Sequence, residues 1–192
     1  MRGSAERRRR GRHQFLQRDR RRRRTGPDVS GRYGRRNALA DILTGKTTPS
    51  GKLTDTWAKN YSDYPAATTI GDNDGDNKQE DYKEGIYVGY RYFDTFNITP
   101  AYEFGYGKSY TSFDVEPLTV AADENNVSVT VNVTNTGDTY SGKEVVEVYF
   151  SAPDGSIEKP YQELAGFAKT DYLAPGESQK LIVTYKTTEM SS

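Results

Sequence analysis

Cysteine is absent from the 192 residues, which excludes disulfides, thiolate chemistry and cysteine metal sites. Histidine occurs once, at His13, so neither a Ser-His relay nor a histidine metal cluster can be assembled. No apolar run is long enough to span a bilayer, and the arginine-rich start lacks the apolar segment of a secretory signal. No membrane partner is expected, and a cytoplasmic location is the default. The length suits one or two small domains with a core of their own.

The formal net charge of zero conceals a division. Residues 1–36 hold fifteen arginines, no lysine and three acids (Glu6, Asp19, Asp28), a formal +12. Residues 37–192 hold eleven lysines, Arg91 and twenty-four acids, a formal −12. The change from arginine to lysine marks a boundary between segments of different origin. The first 36 residues have few apolar side chains beyond Phe15, Leu16 and Val29. Such a segment cannot offset its ordering entropy, and a disordered arm is expected. It can be read as a phosphate-binding arm, as a solvated tail, or as a stretch from another reading frame joined to a coding segment. Charge alone is nonspecific, and no aromatic residues are interleaved to stack bases. The third reading is preferred, and nucleic acid is not the expected partner.

Beyond the arm, NALADILTG fits a short helix capped by Asn37, with Leu39, Ile42 and Leu43 on one face and Gly45 at its end. PSGKLTDTW turns at Pro49–Gly51 into a short extended piece, and 60–82 reads as a polar loop. Asp72, Asp74 and Asp76 have the first three spacings of a calcium loop. Asn77 stands where glycine is needed, however, and Lys83 where a bidentate glutamate is needed, so a solvated acidic loop is expected. No metal site and no cofactor are expected.

From Phe113 the period becomes two. Val127, Val129, Val131 and Val133 alternate with Ser128, Thr130, Asn132 and Thr134, as in a half-buried strand. NTGD at 135–138, PDG at 153–155 and APGE at 174–177 are turn signals. Val146, Val148 and Phe150 form one further alternating run, and Leu181, Val183 and Tyr185 another, with Leu118 and Val120 earlier. About five strands without a convincing helix predict a mainly β fold, an antiparallel sandwich short of the usual seven strands. An unpaired sheet edge is expected where the last strands would lie.

The ordered segments NALADILTGKTTPSGKL, EGIYVGYRYFDT, PAYEFGYGKSYTSF, VNVTNTGDTYSGKEVVEVYFSAP and ELAGFAKTDYLAPGES resemble the C-terminal part of glycoside hydrolase family 3, the β-glucosidase-type enzymes. The resemblance covers about residues 37–192. It implies a remnant of an α/β sandwich domain at 37–60, an interdomain linker at 61–112 and a fibronectin type III-like β-sandwich at 113–192, after the disordered arm at 1–36. It also implies a hydrolase of β-linked oligosaccharides or glycosides, with a (β/α) barrel and the rest of the α/β domain as intramolecular partners. Retaining hydrolysis needs one carboxylate as nucleophile and another as acid/base. In the family both lie before the matched segment, so no catalytic residue is carried over and the chain alone is expected to be inactive. GRYGRR precedes NALA where the family has an acidic, glycine-rich lead-in, Lys108 replaces a customary leucine, and EMSS stands where further sandwich strands would follow. A noncatalytic binding module, or nucleic-acid binding through the arm, is the alternative.

EGIYVGYRYFD at 84–94 could be a sugar platform with Glu84 or Asp94 as an acid, or contact surface between domains. Aromatic clusters with glycines are more often contact surface, and the resemblance places this stretch in the linker. Arg91 is expected to pair with Glu84 or Asp94, because an unpaired buried guanidinium is costly. Tyr87, Tyr90, Tyr92 and Phe93 are expected to await a partner domain and to expose an apolar patch. Sequons at Asn60, Asn97, Asn126 and Asn132 carry meaning only in a secreted eukaryotic protein.

Overall fold

A computed structural model describes residues 33–69, 82, 84–153 and 155–190. The arginine-rich arm and the Asp72–Asp76 acidic run therefore lie outside the described residues. The chain divides into two compact units between Thr47 and Thr48. In the smaller unit, helix α1 spans Tyr33–Leu43. It starts four residues before Asn37, which is interior rather than a cap, because the arginines ahead of it are good helix formers. The end falls as expected. The Thr44 hydroxyl donates to the Ala40 carbonyl at 2.8 Å, and Gly45 takes φ +78° while its N–H reaches the Ile42 carbonyl. Leu39 and Leu43 are exposed.

The larger unit is built on five antiparallel strands: β1 Phe113–Ala122, β2 Asn126–Asn135, β3 Val145–Phe150, β4 Glu163–Lys169 and β5 Ser178–Lys186. They form two sheets, ordered β1-β2-β5 and β3-β4. The alternation in β2 is that expected, with Val127, Val129, Val131 and Val133 all buried and Val133 fully so. Each contributes on the order of 1.5–3 kcal/mol. Val146 and Leu173 join them, with Tyr185 at the end of β5, whose hydroxyl pKa is raised by burial. Gly166 on β4 lets the sheets close, since a Cβ there would lie 2.8 Å from Val183 Cγ1.

β1 departs from the expected alternation. Its register shifts between Pro117 and Thr119; Phe113 and Val115 pack on the core, whereas Leu118 and Val120 are exposed at 41% and 57%. Beyond the shift Val120 stands opposite buried Val129, on the core-facing side, and it is exposed because β1 is the outer strand, away from the β5 side on which the second sheet packs. The β1–β2 turn is held by Asp123, whose carboxylate accepts from Asn125 N–H and Asn126 N–H at 2.7 Å each. Those backbone donors lower its pKa, so this support is present above the ordinary aspartate range and is lost on acidification.

Residues 48–57 are sewn to the sandwich. Thr48 donates to the Ser141 carbonyl at 2.6 Å, Lys169 Nζ to the Ser50 carbonyl at 2.7 Å, and Lys52 pairs with Glu144 on largely covered side chains. The extended piece after Pro49 then meets residues 102–106 antiparallel: Leu53 N–H donates to the Tyr106 carbonyl and Trp57 N–H to the Tyr102 carbonyl, both at 2.8 Å. Gly105 returns the ladder, donating to the Leu53 carbonyl at φ +74°, and a Cβ there would collide with the Glu147 carboxylate. Gly105→Ala should cost about 1–2 kcal/mol from the left-handed backbone, with some further cost as Glu147 moves aside. Urea midpoints check this, and an unchanged midpoint would show that the ladder bears no load.

Candidate functional site

The stretch 84–94 turns into helix α2, Tyr90–Thr95, with Gly85 and Gly89 at φ +55° and +59° setting the entry. Its partner is largely the chain's own sandwich. Tyr90 Oη accepts from Leu164 N–H, Thr95 Oγ1 from Tyr161 N–H, and Asp94 from Gln162 Nε2, all at 2.8–2.9 Å. Tyr87 Oη donates to Glu158 at 2.8 Å, and that hydrogen bond raises the tyrosine pKa. Phe93 is only 2% exposed, edge-on to Tyr64 and Tyr92, while Tyr87, Tyr90 and Tyr92 are half-buried. The expectation that these rings stand bare in this chain is corrected in part: Tyr90 meets β4, Tyr87 meets Glu158, and Phe93 is packed by Tyr64 and Tyr92. Ile86, Val88 and Phe96 do remain exposed.

Arg91 has a carboxylate partner, but neither of those expected. Its Nε lies 3.1 Å from Glu163 Oε1 on β4, an ion pair whose angle falls short of a hydrogen bond. In a helix, residue 94 is three positions from residue 91, yet Asp94 is turned to Gln162. Glu84 is elsewhere.

Glu84 lines a pocket of about 490 Å³ with Asp55, Thr56, Trp57, Tyr61, Tyr64 and Val88 among its walls. The ladder with residues 101–106 places Trp57, while a turn at 60–64 places the tyrosines. In that turn Asp63 accepts from Asn60 N–H at 3.0 Å, and Tyr64 Oη accepts from Ala58 N–H at 3.0 Å. Trp57 and Tyr61 are more than half exposed, and Tyr61 and Tyr64 sit 6.4 Å apart, centroid to centroid. Two wall atoms, Glu84 Oε2 and Thr56 Oγ1, are shielded from water without a hydrogen-bond partner. Sequence reasoning weighed Glu84 but missed Thr56, Trp57, Tyr61 and Tyr64. Their polar, irregular surroundings have no period, and only the density of rings between 57 and 64 could have signalled them.

Among the described residues no group of three or more histidine, cysteine or acidic side chains could hold a metal ion, and no helix is long and apolar enough to cross a membrane. Lys108, in place of leucine, is exposed.

The two sheets, helix α2 and the ladder together define a fibronectin type III-like module with its leading segment. The glycosyl hydrolase family 3 C-terminal domain matches residues 30–90, and a fibronectin type III-like domain matches residues 144–192. β-Glucosidase A of Butyrivibrio fibrisolvens is 44% identical over 173 residues, covering 81% of this chain and 20% of that protein. A β-glucosidase of Kluyveromyces marxianus is 40% identical over 143 residues, covering 74% and 16%. The structure of β-glucosidase 3B from Thermotoga neapolitana in complex with glycerol superposes with a TM-score of 0.72 at 48% identity, over 77% of this chain and 21% of that one. The chain belongs to the C-terminal part of glycoside hydrolase family 3. It spans about a fifth of the length of these relatives.

Proposed function

We propose that the chain supplies the C-terminal, noncatalytic portion of a retaining β-glycosidase of the β-glucosidase type, acting on β-linked glycosides in the company of a barrel and an α/β domain. On this reading 37–60 is the end of the α/β domain, 61–112 the linker and 113–192 the sandwich. The observation that carries it is the placing of 84–94. The residues that looked most like a sugar site are spent on binding linker to sandwich, through Tyr90, Arg91, Asp94 and Thr95.

A second reading has one observation in its favour. Asp55 and Glu84 both line the aromatic pocket, and two carboxylates flanking a sugar-sized space are what retaining hydrolysis requires. Purified chain assayed on an aryl β-glucoside separates the two. No turnover above a buffer blank is expected; turnover that survives repurification and vanishes in Glu84→Gln would make the pocket catalytic and overturn the noncatalytic reading.

A further inference from the structure

We propose that the Glu84 pocket is a socket for a cationic side chain, arginine or lysine, carried by the part of the enzyme that this chain does not span. The inference rests on the docking role proposed above and gives that role its chemistry. Among the described residues the walls hold two acids, Asp55 and Glu84, and the rings of Trp57, Tyr61 and Tyr64, with no lysine, arginine or histidine. Glu84 Oε2 is closed off from water and accepts no hydrogen bond. A buried carboxylate oxygen left in that state is costly, and a guanidinium or ammonium donor relieves the cost most effectively. Thr56, 6% exposed, adds a second unpartnered atom, Oγ1, at the same wall.

The ring faces favour the same guest. A cation within about 6 Å of an aromatic centroid is attracted by the ring quadrupole, and the attraction grows when water is excluded. A neutral apolar side chain would leave Glu84 unanswered, and an acidic one would be repelled. About four fifths of each relative's length lies outside the matched region, which is ample chain to carry the cation.

Trp57 is the only tryptophan, so its fluorescence reports on the pocket alone. The full chain is titrated with propylguanidinium chloride at constant ionic strength, with glucose as a neutral polyol control. A saturable change with propylguanidinium is expected, weakened about tenfold or more in Glu84→Gln and absent with glucose. No saturable change, equal binding by Glu84→Gln, or saturation by glucose instead would each overturn the socket. Circular dichroism checks that the variant remains folded, and Glu84→Asp serves as a second variant that keeps the charge and should retain part of the affinity. The docking role is read separately, by mixing the chain with a family enzyme lacking its last fifth. Tighter association by the native chain than by Glu84→Gln supports the proposal. Equal association by both overturns the assigned occupant even if the small cation binds, whereas no association by either, with the small cation still bound, counts against the docking role and not against the pocket's chemistry.

Discussion

Asn135→Ala is expected to lower stability by about 2–4 kcal/mol, a large loss for one polar side chain. Asn135 ends β2 and is fully buried. Its Nδ2 donates to the carbonyls of Tyr140 and Leu173, both at 2.9 Å, while Oδ1 accepts from the Thr111 hydroxyl at 2.6 Å and from Gly137 N–H at 3.1 Å. Alanine removes these bonds from the Tyr140 carbonyl, the Thr111 hydroxyl and the Gly137 amide and leaves the Leu173 carbonyl with Gly142 N–H alone, and each unmet buried group carries a desolvation cost. Asn135→Asp should fare no better, since a second oxygen would face the two carbonyls in place of a donor. Urea unfolding of the three proteins decides it. A change below about 0.5 kcal/mol for Asn135→Ala would mean that water enters and takes over the four bonds.

Phe93→Ala should cost about 3–5 kcal/mol, the range for emptying an aromatic site in a packed interior. Phe93 is the buried residue of α2, and rings of Tyr64 and Tyr92 stand edge-on at 5.9 and 5.7 Å. The helix is six residues long and cannot persist without packing. Its loss should release Arg91, Asp94 and Thr95 from the β4 side together. Limited proteolysis is therefore expected to cut between residues 84 and 110 in Phe93→Ala while β2 and β5 stay protected, and Phe93→Leu should recover most of the resistance. Uniform sensitivity across the sandwich would show that α2 and the sheets melt as one unit.

The sandwich was legible where one strand carried its own period. The valines of β2 state their burial locally, because successive side chains in a strand point to opposite faces. β1 was not legible in its second half: a shift of register after Pro117 has no periodic signature, and Val120, opposite Val129, is left exposed by the outer place of its strand. Asn135 read as the start of a turn, since its bonds to residues 140 and 173 exist only after the sheets have met. Arg91 was rightly read as needing a carboxylate, but proximity in sequence suggested the wrong ones; Glu163 is brought to it by β4. For the candidate site, Glu84 was visible as an acid among rings, whereas its isolation from water depends on how 55–64 folds over it.

Pro117 occupies β1, the outer strand of its sheet, beside the register shift. A proline offers no amide hydrogen to a newcomer, and the local kink spoils the straight row of groups that another polypeptide would need to zip alongside. Exposed Leu118 and Val120 make that flank greasy, yet its backbone is a poor template. Multimers of this protein, if they form by sheet extension, should therefore grow from β5 or from the two-stranded sheet rather than from β1, and replacing Pro117 with valine would remove a gatekeeper against fibrillar stacking.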